Sequence, residues 1–320
     1  MLRQLLVLTA LCGIAMPAAL VPRVSHRITF VAIGPDVRLE VLDWGGRGPA
    51  LIFLAGFGNT GHVFDSFAPA FTNRYRVLAI TRRGFGASSH PPTGYNTGTL
   101  VKDIMAVLDS LGIRRASFVG HSFAGTELTF LGARHAERVA ALIYLDASYD
   151  FARLYADPRW QRAFPIPRPP APTTTDIPAW RRWFASVMGP GVSDDEIRNL
   201  TSSGTAPSLD TILRRGAAET ELAGIKEPVL ALWAVPRSVE DWYPYWASLD
   251  SLGRSRLQVS FDDQAAVRRT HWQTFREKVP GARVVSLAGA RHYIFLTHPR
   301  QVAAAMRAFL TSREPQPNER

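Results

Sequence analysis

Short, mostly apolar runs recur along this chain, separated by segments with helical spacing. Residues 50–55, 76–81, 116–120, 141–146, 228–234 and 282–287 are such runs, interrupted by Arg76, Thr81, Ser117, Asp146, Arg283 and Ser286 alone. A strand that is apolar at every position has no face to give to water, so it must be covered on both sides. Between these runs, residues 97–111 place Leu100, Ile104, Val107, Leu108 and Leu111 at helical spacing and stop at Gly112. A second helix is expected from Phe123 to about His135, and an amphipathic helix over 302–310 closes the pattern. Two further strands, 28–33 and 37–44, flank a turn at Gly34-Pro35-Asp36. Buried strands alternating with helices predict an α/β fold, a mostly parallel central sheet flanked by helices.

The rhythm breaks over residues 149–226. Residues 164–172 hold Pro165, Pro167, Pro169, Pro170 and Pro172, a density that excludes helix and central strand. Helical pieces are expected near 179–187 and 194–200, among the aromatics Tyr155, Trp160, Trp180, Trp183 and Phe184. An aromatic insertion after one sheet strand reads as a helical lid over the C-terminal sheet edge, where open α/β sheets bind ligands. An irregular surface excursion is the competing reading. The core is then 28–148 together with 227–312, and the polar residues 313–320 form a tail expected to be disordered.

The N-terminus carries a different signal. Met1-Leu2-Arg3 supplies one positive charge, residues 5–15 are almost wholly apolar, and small residues follow at Ala15, Ala18 and Ala19. That is the pattern of a signal peptide over residues 1–19, with its cleavage point open, and it implies a secreted or periplasmic protein. An N-terminal membrane anchor is the alternative, although Pro17 interrupts the stretch and a span needs about 20 apolar residues. No other segment is long and apolar enough to cross a membrane. Cys12 is the one cysteine among 320 residues, so the mature chain would have neither a disulfide nor a thiol nucleophile. Lys and Arg number 37 against 27 Asp and Glu, a net charge of +10. The basic residues fall in scattered pairs such as Arg114-Arg115 and Arg181-Arg182, with no nucleic-acid-binding signature, so no nucleic-acid partner is expected. The sequence leaves the oligomeric state open.

Gly120-His121-Ser122-Phe123-Ala124-Gly125 lies between an expected strand and an expected helix. A serine on so sharp a turn has its hydroxyl raised above the sheet edge, and small neighbours let the backbones pass. The usual pattern is G-x-S-x-G; Ala124 departs from it by one methyl group, and Gly125 follows at once. A serine hydroxyl is inert at neutral pH without a base. His292, just after the last expected strand, is placed to reach the same edge. His121 is adjacent to the serine but should point away from it, and His298 reads as a surface residue near a helix start. A carboxylate must orient the imidazole. Asp146, at the end of the strand following the serine's, is favoured. The alternatives are Asp241 and Glu240, since Arg237 occupies the place where an acid is most often expected.

Two N–H donors are needed for a developing oxyanion. The expected pair is the amide of Phe123 and that of Phe57 in Gly56-Phe57-Gly58-Asn59. The same loop, extended to Gly61, matches the dinucleotide pattern G-x-G-x-x-G, and Arg82-Arg83 could then hold the 2′-phosphate of NADP. Two strands already precede this loop, whereas that pattern usually opens its fold.

Taken together, the loop at 56–59, Arg83-Gly84-Phe85-Gly86-Ala87-Ser88, the serine turn at 120–125 and His292 before a final helix resemble the α/β-hydrolase superfamily over about residues 28–312. The order Ser, Asp, His matches that superfamily's. An acid at Asp146 is similar to that of some haloalkane dehalogenases. Those use an aspartate nucleophile, so Ser122 argues against dehalogenation and epoxide opening. The resemblance implies a serine hydrolase acting on an ester-like acyl bond of a small molecule through an acyl-enzyme, with no cofactor and no metal. A peptidase, a C–C hydrolase and a non-catalytic ligand receptor share the same machinery, and an NADP oxidoreductase remains the reading from a different class.

Overall fold

A computed structural model describes residues 26–202 and 222–312. The signal peptide expected at 1–19, the tail at 313–320 and part of the segment 149–226 lie outside the described residues. No helix among the described residues is long and apolar enough to cross a membrane.

Eight strands form one sheet in the order β1-β2-β4-β3-β5-β6-β7-β8. β1 (Arg27–Ala32) and β2 (Arg38–Gly45) form an antiparallel hairpin, and β2 pairs antiparallel with β4 (Arg76–Ile80). β3 (Ala50–Leu54), β5 (Ala116–His121), β6 (Val139–Leu145), β7 (Val229–Val235) and β8 (Arg283–Ala288) continue the sheet in parallel. β3 and β5 are buried at every position, as the unbroken apolar sequence of β3 requires. Successive side chains leave the sheet on opposite faces. Leu51, Phe53, Val119, Ile143 and Leu232 enter one core, while Ile52, Phe118, Leu142 and Trp233 enter the other.

α1 (Thr97–Ser110) begins where the Asn96 side chain accepts from the Thr99 N–H, and α2 (Ala124–Arg134) follows β5 directly. Between β6 and β7 lie α3 (Phe151–Ala156), α4 (Pro158–Arg162), α5 (Ile177–Val187) and α6 (Asp194–Thr201); the proline-rich residues between α4 and α5 form neither helix nor strand. After β7 come α7 (Val239–Trp242) and a long helix, α8 (Ser251–Lys278), capped by Asp250. α9 (Ile294–Thr297) and α10 (Pro299–Thr311) close the chain.

The sequence does not announce α8, because its inner face is not an apolar stripe. Leu257, Val267 and Phe275 share that face with Ser260, Gln264, Arg268 and His271, all buried. The loop at 56–61 also differs from a dinucleotide site. It leads into a single 3₁₀ turn, Gly61–Phe64, rather than a helix whose N-terminus could receive a pyrophosphate. Arg82 is bound bidentate by buried Glu127 at 2.6 and 2.7 Å, and Arg83 by Asp103 at 2.5 Å. Both guanidinium groups are thus committed inside the protein, which removes the basis for the NADP reading.

Candidate active site

Ser122 sits at the C-terminal end of β5 with φ at 53°, a left-handed conformation unusual outside glycine. The turn works because its neighbours are small. A Cβ on Gly125 would come within 1.8 Å of the Ala147 carbonyl oxygen, so α2 can pack here only through a glycine. A Cβ on Gly120 would meet Leu128 Cδ1 at 2.9 Å. Ala124 is fully buried and accommodated, so the missing glycine of the usual pattern costs the turn nothing visible.

His292 arrives from the loop after β8, which turns at Gly289 (φ 76°) and is tied to β7 by Gly289 N–H donating to the Val235 carbonyl at 2.8 Å. Its Nε2 lies 2.9 Å from Ser122 Oγ, and its Nδ1 lies 2.8 Å from Asp146 Oδ2. Asp146 ends β6, is wholly buried, and also holds a left-handed φ of 45°. Its other oxygen accepts from Tyr149 Oη at 3.0 Å and from the Ala234 N–H at 3.2 Å. A carboxylate accepting this many bonds favours the tautomer with hydrogen on Nδ1, leaving the Nε2 lone pair to face the serine hydroxyl.

The other candidates fall elsewhere. Asp241 bonds Arg237 at 3.1 Å and Glu240 is exposed; neither meets His292. His298 contacts Thr297 Oγ1 at 3.1 Å. His121 is buried against the His292 ring, 4.6 Å between centroids, and its Nε2–H donates to the His292 carbonyl at 3.1 Å. Burial, then the neighbouring His292, hold its pKa well below the ordinary imidazole value, so it stays neutral and supports the loop.

The loop at 56–61 abuts the serine: a Cβ on Gly56 would lie 3.1 Å from Ser122 Cβ. Outside regular helix and strand ladders, neither the Phe57 nor the Phe123 N–H donates to an acceptor among the described residues. Their rings meet edge to face at 6.4 Å. Arg82 braces both, donating to the Ala55 carbonyl at 3.0 Å and lying 5.2 Å from the Phe123 ring.

The sequence did not single out Glu196, Tyr293 or Tyr149. Glu196 on α6 accepts from Asn59 Nδ2 at 2.7 Å and from the Thr60 hydroxyl, while Tyr293 Oη donates to Asn59 Oδ1 at 3.0 Å. One asparagine therefore ties α6 to the loops of Phe57 and His292. Ser122 opens into a cavity of about 370 Å³ lined largely by aromatics, among them Phe57, Tyr155, Trp183 and Trp242.

His26, His62 and Asp65 bring potential metal ligands within 4.8 Å of one another. His62, however, faces Asp65 through Nδ1 at 3.1 Å and Glu40 through Nε2 at 3.5 Å. Burial opposes its charge, but these carboxylates outweigh burial and push its pKa up to about 10. His62 thus sits in an ion-pair network with Asp65 and Glu40.

Strand order, serine turn and histidine loop together define a class of fold, and comparison with known proteins agrees. The model of the α/β hydrolase fold matches residues 49–299, and the chain belongs to that family. It is 36% identical over 129 residues to bifunctional epoxide hydrolase 2 of Mus musculus, covering 39% of this chain and 23% of that protein. The chain thus spans under a quarter of the length of such mammalian relatives. It is 27% identical over 275 residues to pimeloyl-(acyl-carrier protein) methyl ester esterase of Aeromonas hydrophila, covering 83% of this chain and 96% of that protein. Among solved structures, E-2-(acetamidomethylene)succinate hydrolase is similar with a TM-score of 0.63 and 20% identity, over 90% of this chain and 100% of that one.

Proposed function

We propose that this protein is a serine hydrolase that cleaves carboxylic esters of small molecules through an acyl-enzyme, in the secreted or periplasmic space. The observation that carries the reading is the continuous hydrogen-bond chain Ser122–His292–Asp146 at one sheet edge. His292 takes the Ser122 proton as Oγ attacks the carbonyl carbon, and Asp146 stabilises the imidazolium. The oxyanion is received by the Phe57 and Phe123 amides. His292 then protonates the departing alkoxide and activates the water that releases the acid. These steps require no cofactor or metal. The helices between β6 and β7, rich in aromatics, act as the lid.

Several relatives are named epoxide hydrolases. A carboxylate nucleophile opens an epoxide to an ester that water can cleave. A serine alkoxide would leave an ether that water cannot, so Ser122 supports ester rather than epoxide chemistry.

Turnover of p-nitrophenyl butyrate by the purified protein tests the proposal. Ser122→Ala should lower kcat by at least about 10³-fold while the melting temperature holds. A fully active Ser122→Ala protein would overturn the assignment.

A further inference from the structure

Arg268 is 3% exposed and lines the cavity that Ser122 opens into. It comes from the buried face of α8, where the sequence offers a cation to a mostly aromatic wall. Its guanidinium stacks on the Trp242 ring at 3.9 Å, and Trp242 in turn neighbours the His292 ring at 6.4 Å. Among the described residues no carboxylate pairs with Arg268, and its buried Nε–H finds no acceptor. A second cavity arginine, Arg291, is half-buried with an Nη1 that also lacks an acceptor, and burial lowers its pKa. Among the described residues Asp146 is the one acid on the cavity wall, and its oxygens already serve His292, Tyr149 and Ala234.

Burying a cation without a counter-charge is costly, and stacking on one ring offsets only a part of that cost. The other buried arginine among the described residues, Arg82, is paired closely with Glu127. The exception lies where a ligand would sit. We infer that Arg268 binds an anionic carboxylate on the substrate, so that the preferred esters are half-esters of dicarboxylic acids. The inference rests on the ester-hydrolase reading and names the substrate class of that same site. Aromatic walls hold the methylene chain, and the planar guanidinium fork takes the far carboxylate.

The test compares p-nitrophenyl valerate with mono-p-nitrophenyl glutarate, which differ only in a terminal methyl against a terminal carboxylate. The wild type should favour the glutaryl ester in kcat/KM. Arg268→Met, which keeps the apolar stem, should lower the glutaryl-to-valeryl ratio by roughly 10–100-fold, as loss of a charge-assisted hydrogen bond implies. Arg268→Gln should give the same loss and serves if the first variant does not fold. A second arm is independent of turnover. Monomethyl glutarate, but not methyl valerate, should raise the melting temperature of Ser122→Ala, and adding Arg268→Met should abolish the rise. If neither nitrophenyl ester is cleaved while that stabilisation persists, the hydrolase reading fails and the anion site stands. An unchanged ratio in both Arg268 variants, or stabilisation that ignores Arg268, overturns the inference.

Discussion

Among the described residues, only two outside glycine hold a left-handed backbone, Ser122 and Asp146. Each ends one of two adjacent parallel strands, and such a conformation costs of order 1–2 kcal/mol. Neighbouring strands enforce both bends, through Ser122 N–H to the Leu145 carbonyl at 3.3 Å and Asp146 N–H to the Leu232 carbonyl at 2.8 Å. The bend at Asp146 fixes which oxygen does what. Oδ1 is claimed by the donors Tyr149 Oη and Ala234 N–H, so only Oδ2 faces His292. In Asp146→Asn those two donors would retain the amide oxygen, and the amide NH₂ would turn to Nδ1. The imidazole would then carry its hydrogen on Nε2, the wrong tautomer for taking the serine proton. The expected outcome is a fall in kcat on p-nitrophenyl butyrate of about 10⁴-fold with folding intact. Asp241→Asn removes only a partly exposed pair with Arg237, and kcat should stay within about twofold. A larger loss in Asp241→Asn than in Asp146→Asn would transfer the role to Asp241.

At the scale of elements, α6 matters through a single buried carboxylate. Burial raises the pKa of Glu196 to about 7, against hydrogen bonds from Thr60 and Asn59 that act in the opposite direction. The folded protein therefore holds this proton more tightly than the unfolded chain, whose value is near 4.5. Stability from this group is complete below pH 4.5 and is lost as pH rises to about 7, by about 3 kcal/mol. Glu196→Gln keeps an acceptor for Asn59 and cannot ionise. Urea unfolding at pH 5 and pH 8 should show the wild type losing more stability than the variant, and parallel losses would refute the account. Nothing in the sequence marks Glu196, because an acid in the first turn of a helix is ordinary and its partner lies 137 residues away. The inner strands were legible since β3, β6 and β7 are apolar throughout, and Ser122, Asp146 and His292 were legible since each follows a strand at one edge. α8 was illegible for the reason that makes it interesting: Gln264 and Arg268 occupy positions where a period-3.6 reading looks for apolar side chains.

Across the whole molecule, one polar line joins the sheet's antiparallel edge to the insertion. Glu40 on β2 faces His62, His62 faces Asp65, and Asp65 lies 3.2 Å from His26. At the same turn, the His62 carbonyl accepts from Ser193 Oγ of the insertion at 3.1 Å, and Thr60 donates to Glu196. The charge on His62 holds this line together, since Asp65 and Glu40 raise its pKa to about 10 while His62 helps to lower theirs. For a base with a raised pKa, the stabilisation is complete below the unfolded value of 6.5 and is lost as pH climbs through about 10. The windows of Glu196 and His62 therefore adjoin, the first from 4.5 to 7 and the second from 6.5 to 10, and both run in the same direction. Melting temperature should fall steadily from mildly acidic to alkaline buffer. His62→Gln should melt several degrees lower at pH 6 and converge on the wild type toward pH 10, while Glu196→Gln should flatten the fall between pH 4.5 and 7 and keep a constant offset from the wild type above it. A constant offset between His62→Gln and wild type from pH 6 to pH 10 would mean that the imidazole is neutral in the fold, and the two carboxylates around it would then need another source of positive charge.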